Sequence, residues 1–248
     1  MILKLLTYNI RHGGGGREAL IAEVVRAAGA DVVVFQEATD PGVIRSIARS
    51  TGMPVWNARP QHSLGFMSRV EVAEHAWHRP WRSRHAFIEI VLGESGFRVF
   101  GVHLSAVHAA WTEWRRTVEL RALLADIARH QEGFHVLAGD FNTLAPGEDL
   151  EVRRLPPRLR PFVWLSGGSI RWQTIKIVLA ANYVDTYRSF HPQHAGVTFP
   201  TSDPHIRLDY VFAPSGFSER VKSCEVVDVP PAVRASDHFP LLAELEIS

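Results

Sequence analysis

The sequence predicts a layered α/β sandwich with mixed or antiparallel sheets. Short apolar, β-branched runs alternate with amphipathic helical stretches through much of the chain. The middle reads instead as hairpins, with Gly93-Glu94-Ser95-Gly96 as a turn, which argues against a purely parallel, doubly wound sheet. No linker or repeat divides the 248 residues, so one domain spanning 1–248 is expected.

Taken in order, Ile2 to Asn9 reads as a strand, Gly13 to Gly16 as a flexible loop, and Arg17 to Ala28 as a helix stopped by Gly29. Asp31 to Glu37 is a continuous β-branched run, hence a buried strand. Pro41 to Arg49 is a short helix with Asp40 as its cap and Pro41 at its first position. From Val55 to Phe100 the short runs Leu64–Met67, Phe87–Leu92 and Phe97–Phe100 read as an antiparallel sheet. A strand over Phe97 to Leu104 leads into the longest helix, about Ala109 to His130, with Leu120, Leu123, Leu124 and Ile127 as its core stripe. His135 to Ala138 is a buried strand that turns at Gly139. Residues 144 to 205, rich in proline, read as irregular surface chain with a helix over Ile170 to Ala181. Arg207 to Phe212, Val221 to Val229 and Leu241 to Ile247 are the closing strands.

Composition excludes several classes of function. Hydrophobic residues make up 46%, ample for a core, and the formal charge of +1 supplies no global field toward nucleic acid or an anionic membrane. Lys4, Lys176 and Lys222 are the only lysines among 27 basic residues, a bias that reflects genome composition or a preference for forked phosphate contacts. The single cysteine, Cys224, excludes an intrachain disulfide and a cysteine metal cluster. No apolar run approaches the roughly 20 residues of a membrane span, and the N-terminus lacks a signal-peptide pattern. A cytoplasmic monomer is expected.

The informative polar residues fall at strand ends. Asn9, Glu37, His103 and the pair Asp140/Asn142 each close an apolar run; Asp209 lies in a further strand, and Ser236-Asp237-His238 precedes the last. Singly, each has an ordinary reading. Asn9 suits a turn, Glu37 a cap or an arginine partner, and His103 an unremarkable strand position. Asp140 and Asn142 suit an Asx turn after Gly139, Asp209 an ion pair with Arg207, and Asp237-His238 a turn before Phe239-Pro240. Together, carboxylates converging on one rim would repel one another without a cation, and a hard divalent ion, Mg²⁺ or Mn²⁺, fits an oxygen-rich set. Zinc fits less well, because no HxxxH or CxxC spacing is present.

Thr7-Tyr8-Asn9-Ile10, Phe35-Gln36-Glu37, Val102-His103-Leu104, Gly139-Asp140-Phe141-Asn142, Arg207-Leu208-Asp209-Tyr210 and Ser236-Asp237-His238-Phe239-Pro240 resemble, in this order, the motif series of the endonuclease/exonuclease/phosphatase superfamily. Leu64-Gly65-Phe66-Met67-Ser68-Arg69 resembles a further recurrent segment of it. The resemblance implies a four-layer α-β-β-α sandwich of deoxyribonuclease I type, with two mixed, largely antiparallel sheets and the site at one end. It implies a Mg²⁺-dependent phosphoric ester hydrolase, with Mn²⁺ able to substitute. Glu37 would be the principal metal ligand, with Asn9 and Asp237 in or beside the metal shell. Asp140 would orient and deprotonate the attacking water, helped by Asn142. His238, oriented by Asp209, would contact the phosphate, and His103 would contact the phosphate or assist the leaving group. Arg115, Arg79, Arg82 and Arg171 are candidate substrate contacts.

The substrate is read less closely. Exonuclease III-type repair enzymes carry a Tyr-Phe-Pro-rich motif where this chain has Val102-His103-Leu104-Ser105, which resembles the deoxyribonuclease I, sphingomyelinase and phosphatase branches more. A phosphodiesterase acting on nucleic acid, a small molecule or a lipid head group is expected. The alternatives are a DNA endonuclease, exonuclease or repair nuclease of the same superfamily, and a catalytically silent phosphate-binding member. The basic-aromatic stretch Trp77 to Arg84, the cluster Arg153, Arg154, Arg158 and Arg160, and Arg171 with Trp172 and Lys176 are either substrate loops or solvated surface.

Overall fold

A computed structural model describes the chain except residues 82, 84, 94, 107–109, 129–132, 156, 158–159 and 166–171. Its strands are β1 (Ile2–Asn9), β2 (Val32–Gln36), β3 (Val55–Ala58), β4 (Leu64–Ser68), β5 (Val72–His78), β6 (Phe87–Leu92), β7 (Phe97–His103), β8 (His135–Asp140), β9 (Tyr183–Asp185), β10 (Asp209–Pro214), β11 (Val221–Val226) and β12 (Leu241–Glu246). Its helices are α1 (Glu18–Ala28), α2 (Pro41–Thr51), α3 (Ala110–Ile127), α4 (Arg160–Leu165), α5 (Gln173–Ala180), α6 (Thr186–Phe190) and α7 (Ala232–Ala235).

Local chemistry sets the boundaries. Asp40 caps α2 by accepting from Gly42 N at 2.8 Å, and Pro41 opens it without wasting a donor. Gly29 and Gly52 end α1 and α2 in the left-handed region, where a glycine carries no Cβ penalty. The glycine run after β1 is not a plain loop: His12–Gly14 forms a 3₁₀ turn.

The strands form two six-stranded sheets, ordered β11-β12-β1-β2-β4-β3 and β5-β6-β7-β8-β10-β9. Each is antiparallel except for one central parallel pair, β1 with β2 and β7 with β8. Alternation divides each central strand between two cores. In β1, Leu3 and Leu5 face the second sheet, while Leu6 and Tyr8 face α1 and α2. In the second sheet, Val99, Val136 and Val211 meet that inner core, while Phe100, Leu137 and Phe212 pack under α3 and α5. The order is therefore helix, sheet, sheet, helix, as expected. The sheets approach closely at Gly101, where a Cβ would lie 2.4 Å from Ile88 Cγ2 and 2.7 Å from Val34 Cγ1.

Two expectations are corrected. The stretch Val55–Phe100 is not one antiparallel sheet: β3 and β4 pair in the first sheet, and β5, β6 and β7 in the second. Hairpin signals locate neighbours but not the crossing from one sheet to the other. Residues 144–205 are also more ordered than their prolines imply, carrying α4, α5, β9 and α6. Buried charge rather than apolar periodicity holds much of this segment. Arg207 reaches Asp185 at 2.6 Å and Glu148 at 2.7 Å, so it is not the partner of Asp209.

Candidate active site

The site sits where the two parallel pairs run out. β1 ends in Asn9, β2 leads into Glu37, β7 ends in His103 and β8 in Asp140. In the second sheet the register aligns His103 with Asp140 and Asp140 with Asp209, so three strands place these residues in one row. His238 reaches the row from the loop before β12. Its Nδ1 donates to Asp209 Oδ2 at 2.9 Å, and its Nε2 lies 4.0 Å from Asp140 Oδ2. His103 Nε2 lies 3.9 Å from the same oxygen.

Asp140 is buried and fully engaged. Asn9 Nδ2 donates to its Oδ2 at 3.0 Å, and Asn142 Nδ2 to the same atom at 3.1 Å. The Asn142 backbone N–H donates to Oδ1 at 2.8 Å. The pair is thus an Asx turn whose carboxylate also faces His103 and His238. Phe141 points the other way, into the core beneath α3. Gly139 is required because a Cβ there would fall 1.9 Å from the Val102 carbonyl oxygen.

The first sheet contributes a more open half. The side chain of Glu37 is 31% exposed and that of Asp237 30%, against 1% for Asp140 and Asp209. Glu37 Oε1 receives Asn9 Nδ2 at 3.4 Å, and Oε2 receives the His12 N–H at 2.5 Å. Asp237 Oδ2 faces Arg11 Nε at 3.3 Å. Asn9 Oδ1 accepts from Arg11 N at 3.0 Å, so its amide clamps the carboxylates with N–H groups. Ser236 Oγ donates to the Asn9 carbonyl at 2.6 Å and draws the Asp237-His238 loop against β1. Arg11, His12, Glu37 and Asn142 all hold left-handed backbone (φ 50°, 49°, 57° and 52°). Such conformations cost on the order of 1 kcal/mol or more for a non-glycine residue and gather where a site dictates geometry.

The electrostatics separate the titrating groups. Burial pushes the Asp140 carboxyl up to about 7, against the pull of the His238 charge, and Asp209 adds to the rise. Burial alone would depress His238, but Asp209, by charge and hydrogen bond, and then Asp140 and Asp237, raise it to about 9. Burial and the neighbouring His85 and His238 lower His103 to about 3, so its ring is neutral. The His85 ring stacks on it at 5.5 Å. Among the described residues, His103 Nδ1 and Asp209 Oδ1 are buried without a hydrogen-bond partner. Donor atoms of Asp140, Asp209 and His238 lie within 4.8 Å of one another, close enough to share a cation.

The structure therefore brings together all eight core residues read from the sequence: Asn9, Glu37, His103, Asp140, Asn142, Asp209, Asp237 and His238. The candidate substrate contacts are less uniform. Arg115 is exposed on α3. Arg79 turns back toward the Ser83 carbonyl at 3.5 Å. Arg82 and Arg171 lie outside the described residues, as do Arg84 and Arg158. Trp77 is no substrate platform: it lies in β5 against the inner core, with the Arg59 guanidinium 4.3 Å above its ring. Arg154 is tied to Asp203 and Glu151.

One supporting cluster escaped the sequence reading. Glu113, Arg116 and Glu119 of α3 are buried. Glu113 accepts from Thr143 Oγ1 at 3.0 Å, from Thr174 N at 2.7 Å and from Arg116 at 2.9 Å. Arg116 donates to the Ser105 carbonyl at 2.8 Å, and Glu119 accepts from Ser105 Oγ at 2.9 Å. The cluster fixes the chain just beyond His103 and just beyond Asn142. The signal was present: the stripe Leu120, Leu123, Ile127 extends backward through Arg116 and Glu113 at helical spacing.

The model of the Endonuclease/Exonuclease/phosphatase family matches residues 6–238. No curated protein matches the sequence. Among solved structures, an AP endonuclease from Archaeoglobus fulgidus is similar, with a TM-score of 0.76, 18% identity, and coverage of 98% of this chain and 99% of that one. The 3' phosphatase NExo from Neisseria, bound to product DNA hairpin, gives 0.71 and 19%, covering 98% and 99%. D. rerio TDP2 complexed with single strand DNA product gives 0.69 and 17%, covering 98% of each chain. At these identities the likeness is one of fold.

Proposed function

The chain belongs to the endonuclease/exonuclease/phosphatase family, and on that premise we propose that it is a divalent-metal-dependent phosphodiesterase, folded as one domain. The reading rests on one observation: Asp140 and His238 lie beside each other with both groups raised, Asp140 to about 7, a base poised near neutrality, and His238 to about 9, a lasting cation. That pairing suits attack of water on an anionic phosphodiester, which needs both a proton acceptor and positive charge at the phosphoryl oxygens.

Asp140 takes the proton of a water that the Asn142 amide helps to place. The imidazolium of His238 faces a phosphoryl oxygen, held by Asp209, while neutral His103 faces the phosphate or the leaving oxygen. A cation fits the rim as well. Glu37 and Asp237 are the open acids: Glu37 meets Asn9, Asp237 meets Arg11, Arg11 N donates to Asn9 Oδ1, and Glu37 is held in left-handed backbone. They would hold the ion, with Mg²⁺ the natural choice and Mn²⁺ a substitute. Asn9, whose amide N–H groups face the carboxylates, steadies the shell. When bound, the ion supplies charge stabilisation for the phosphoryl oxygens and a more acidic water. Asp140, Asp209 and His238 form the alternative donor set. We assign them to proton chemistry, because the His238 Nδ1–H is given to Asp209 and its ring is held cationic.

Hydrolysis of bis-p-nitrophenyl phosphate tests the reading. Turnover should require Mg²⁺ or Mn²⁺ and vanish with EDTA. Absence of metal-dependent turnover on this substrate and on plasmid DNA, abasic duplex and phospholipid would leave a silent phosphate-binding member instead.

A further inference from the structure

We propose that the exposed tryptophans beside this site dock the chain onto a phospholipid bilayer, so that the phosphodiester it cleaves belongs to a lipid head group. The proposal rests on the hydrolase reading above and names the substrate class of the same site. Trp164 and Leu165, consecutive at the end of α4, are 76% and 66% exposed, and Trp111 and Trp114 in the first turns of α3 are 52% and 68% exposed. The Trp111 ring meets Phe162 of α4 edge-on at 5.8 Å, which joins the two helices in one patch. Large apolar groups gathered this way on a surface mark a site that meets another apolar phase.

The patch adjoins the chemistry. Glu113, between Trp111 and Trp114, holds Thr143, the residue after Asn142, at 3.0 Å. On the side of His103, Trp81 is 81% exposed, four residues before the His85 that stacks on that histidine. A head group reached from this face meets the row His103, Asp140, Asp209.

The residue types select a bilayer. Tryptophan settles at the interface with its ring among acyl chains and its N–H among head groups, and a neighbouring leucine inserts beside it. Exposed Arg115 on α3 and Arg153 in the turn before α4 complement lipid phosphates. A single-stranded nucleic acid would call for a track of cations and flat rings. Here the formal charge is only +1, Arg154 is already tied to Asp203, and Leu165 offers no π face.

The test uses vesicles of phosphatidylcholine with a minor fraction of phosphatidylglycerol, with EDTA present so that binding is read without turnover. The chain should sediment with the vesicles, and its tryptophan emission should move to shorter wavelength. The double variant Trp164→Ser/Leu165→Ser should bind about tenfold or more weakly. It should lose activity on vesicle lipid in proportion, yet hydrolyse bis-p-nitrophenyl phosphate like the parent. Failure of the parent to bind vesicles, or unchanged binding by the double variant, overturns the proposal. So does a variant whose lost affinity is for a single-stranded oligonucleotide, which gives the patch to nucleic acid. Vesicle binding without any bis-p-nitrophenyl phosphate turnover removes the hydrolase reading, and with it the head group as substrate.

Discussion

The two sheets bring acids to the same rim in opposite states. From the first sheet and its loops come Glu37 and Asp237, each about a third exposed. From the second come Asp140 and Asp209, buried at 1%. An open carboxylate is accessible to a cation from solvent. A buried one has its protonation set by its surroundings, as burial raises Asp140. The proposed function divides along the same line, with metal assigned to the open side and proton transfer to the buried side.

The largest way to break this division is His238→Ala. It removes the cation of the buried half, and kcat on bis-p-nitrophenyl phosphate should fall by on the order of 10³ or more, with an unchanged circular dichroism spectrum. Near-normal turnover would place the phosphate contact elsewhere. Glu113→Ala acts beneath the buried half by removing the acid that accepts from Arg116, Thr143 and Thr174. Urea denaturation should show a loss of about 3–5 kcal/mol, the range for breaking a buried ion pair. A loss as small as that of a surface substitution would show that the α3 cluster does not hold the Asn142 turn.

A smaller effect concerns pH. His238 is raised in the folded chain to about 9. The pair therefore stabilises the fold fully below about pH 6.5, and that contribution is lost as pH rises through about 9. Activity should fall over the same alkaline limb. Asp209→Asn should bring that limb down toward the ordinary histidine range. An unmoved limb would mean that Asp209 does not set the charge of His238.

Most of the fold was legible in the sequence, and so were the polar residues that the structure gathers at one rim, for a physical reason. A buried strand must be apolar, so polar residues that interrupt it at its end stand out, as Asn9, Glu37, His103 and Asp140 do. Capping chemistry is equally local, which is why Asp40 and Gly29 bound their helices where expected. The assignment of β3 to β7 between two sheets was not legible, because strand pattern does not encode which sheet a hairpin joins. The segment around Glu148, Asp185 and Arg207 was not legible either, since charges remote in sequence order it. Glu113 and Arg116 lay hidden because charge on a helix reads as surface until its stripe is traced back from Leu120.

The central claim is the division of labour between open and buried acids, and a metal titration tests it most directly. Turnover of bis-p-nitrophenyl phosphate is followed against Mg²⁺ concentration for the parent, Glu37→Gln and Asp140→Asn. Glu37→Gln should require about a hundredfold more metal, the order expected when a metal shell is disturbed, and then recover much of its rate. Asp140→Asn should stay at least about 10³ below the parent at every concentration. Recovery of Asp140→Asn with metal, or a Glu37→Gln curve that overlays the parent, would contradict the account.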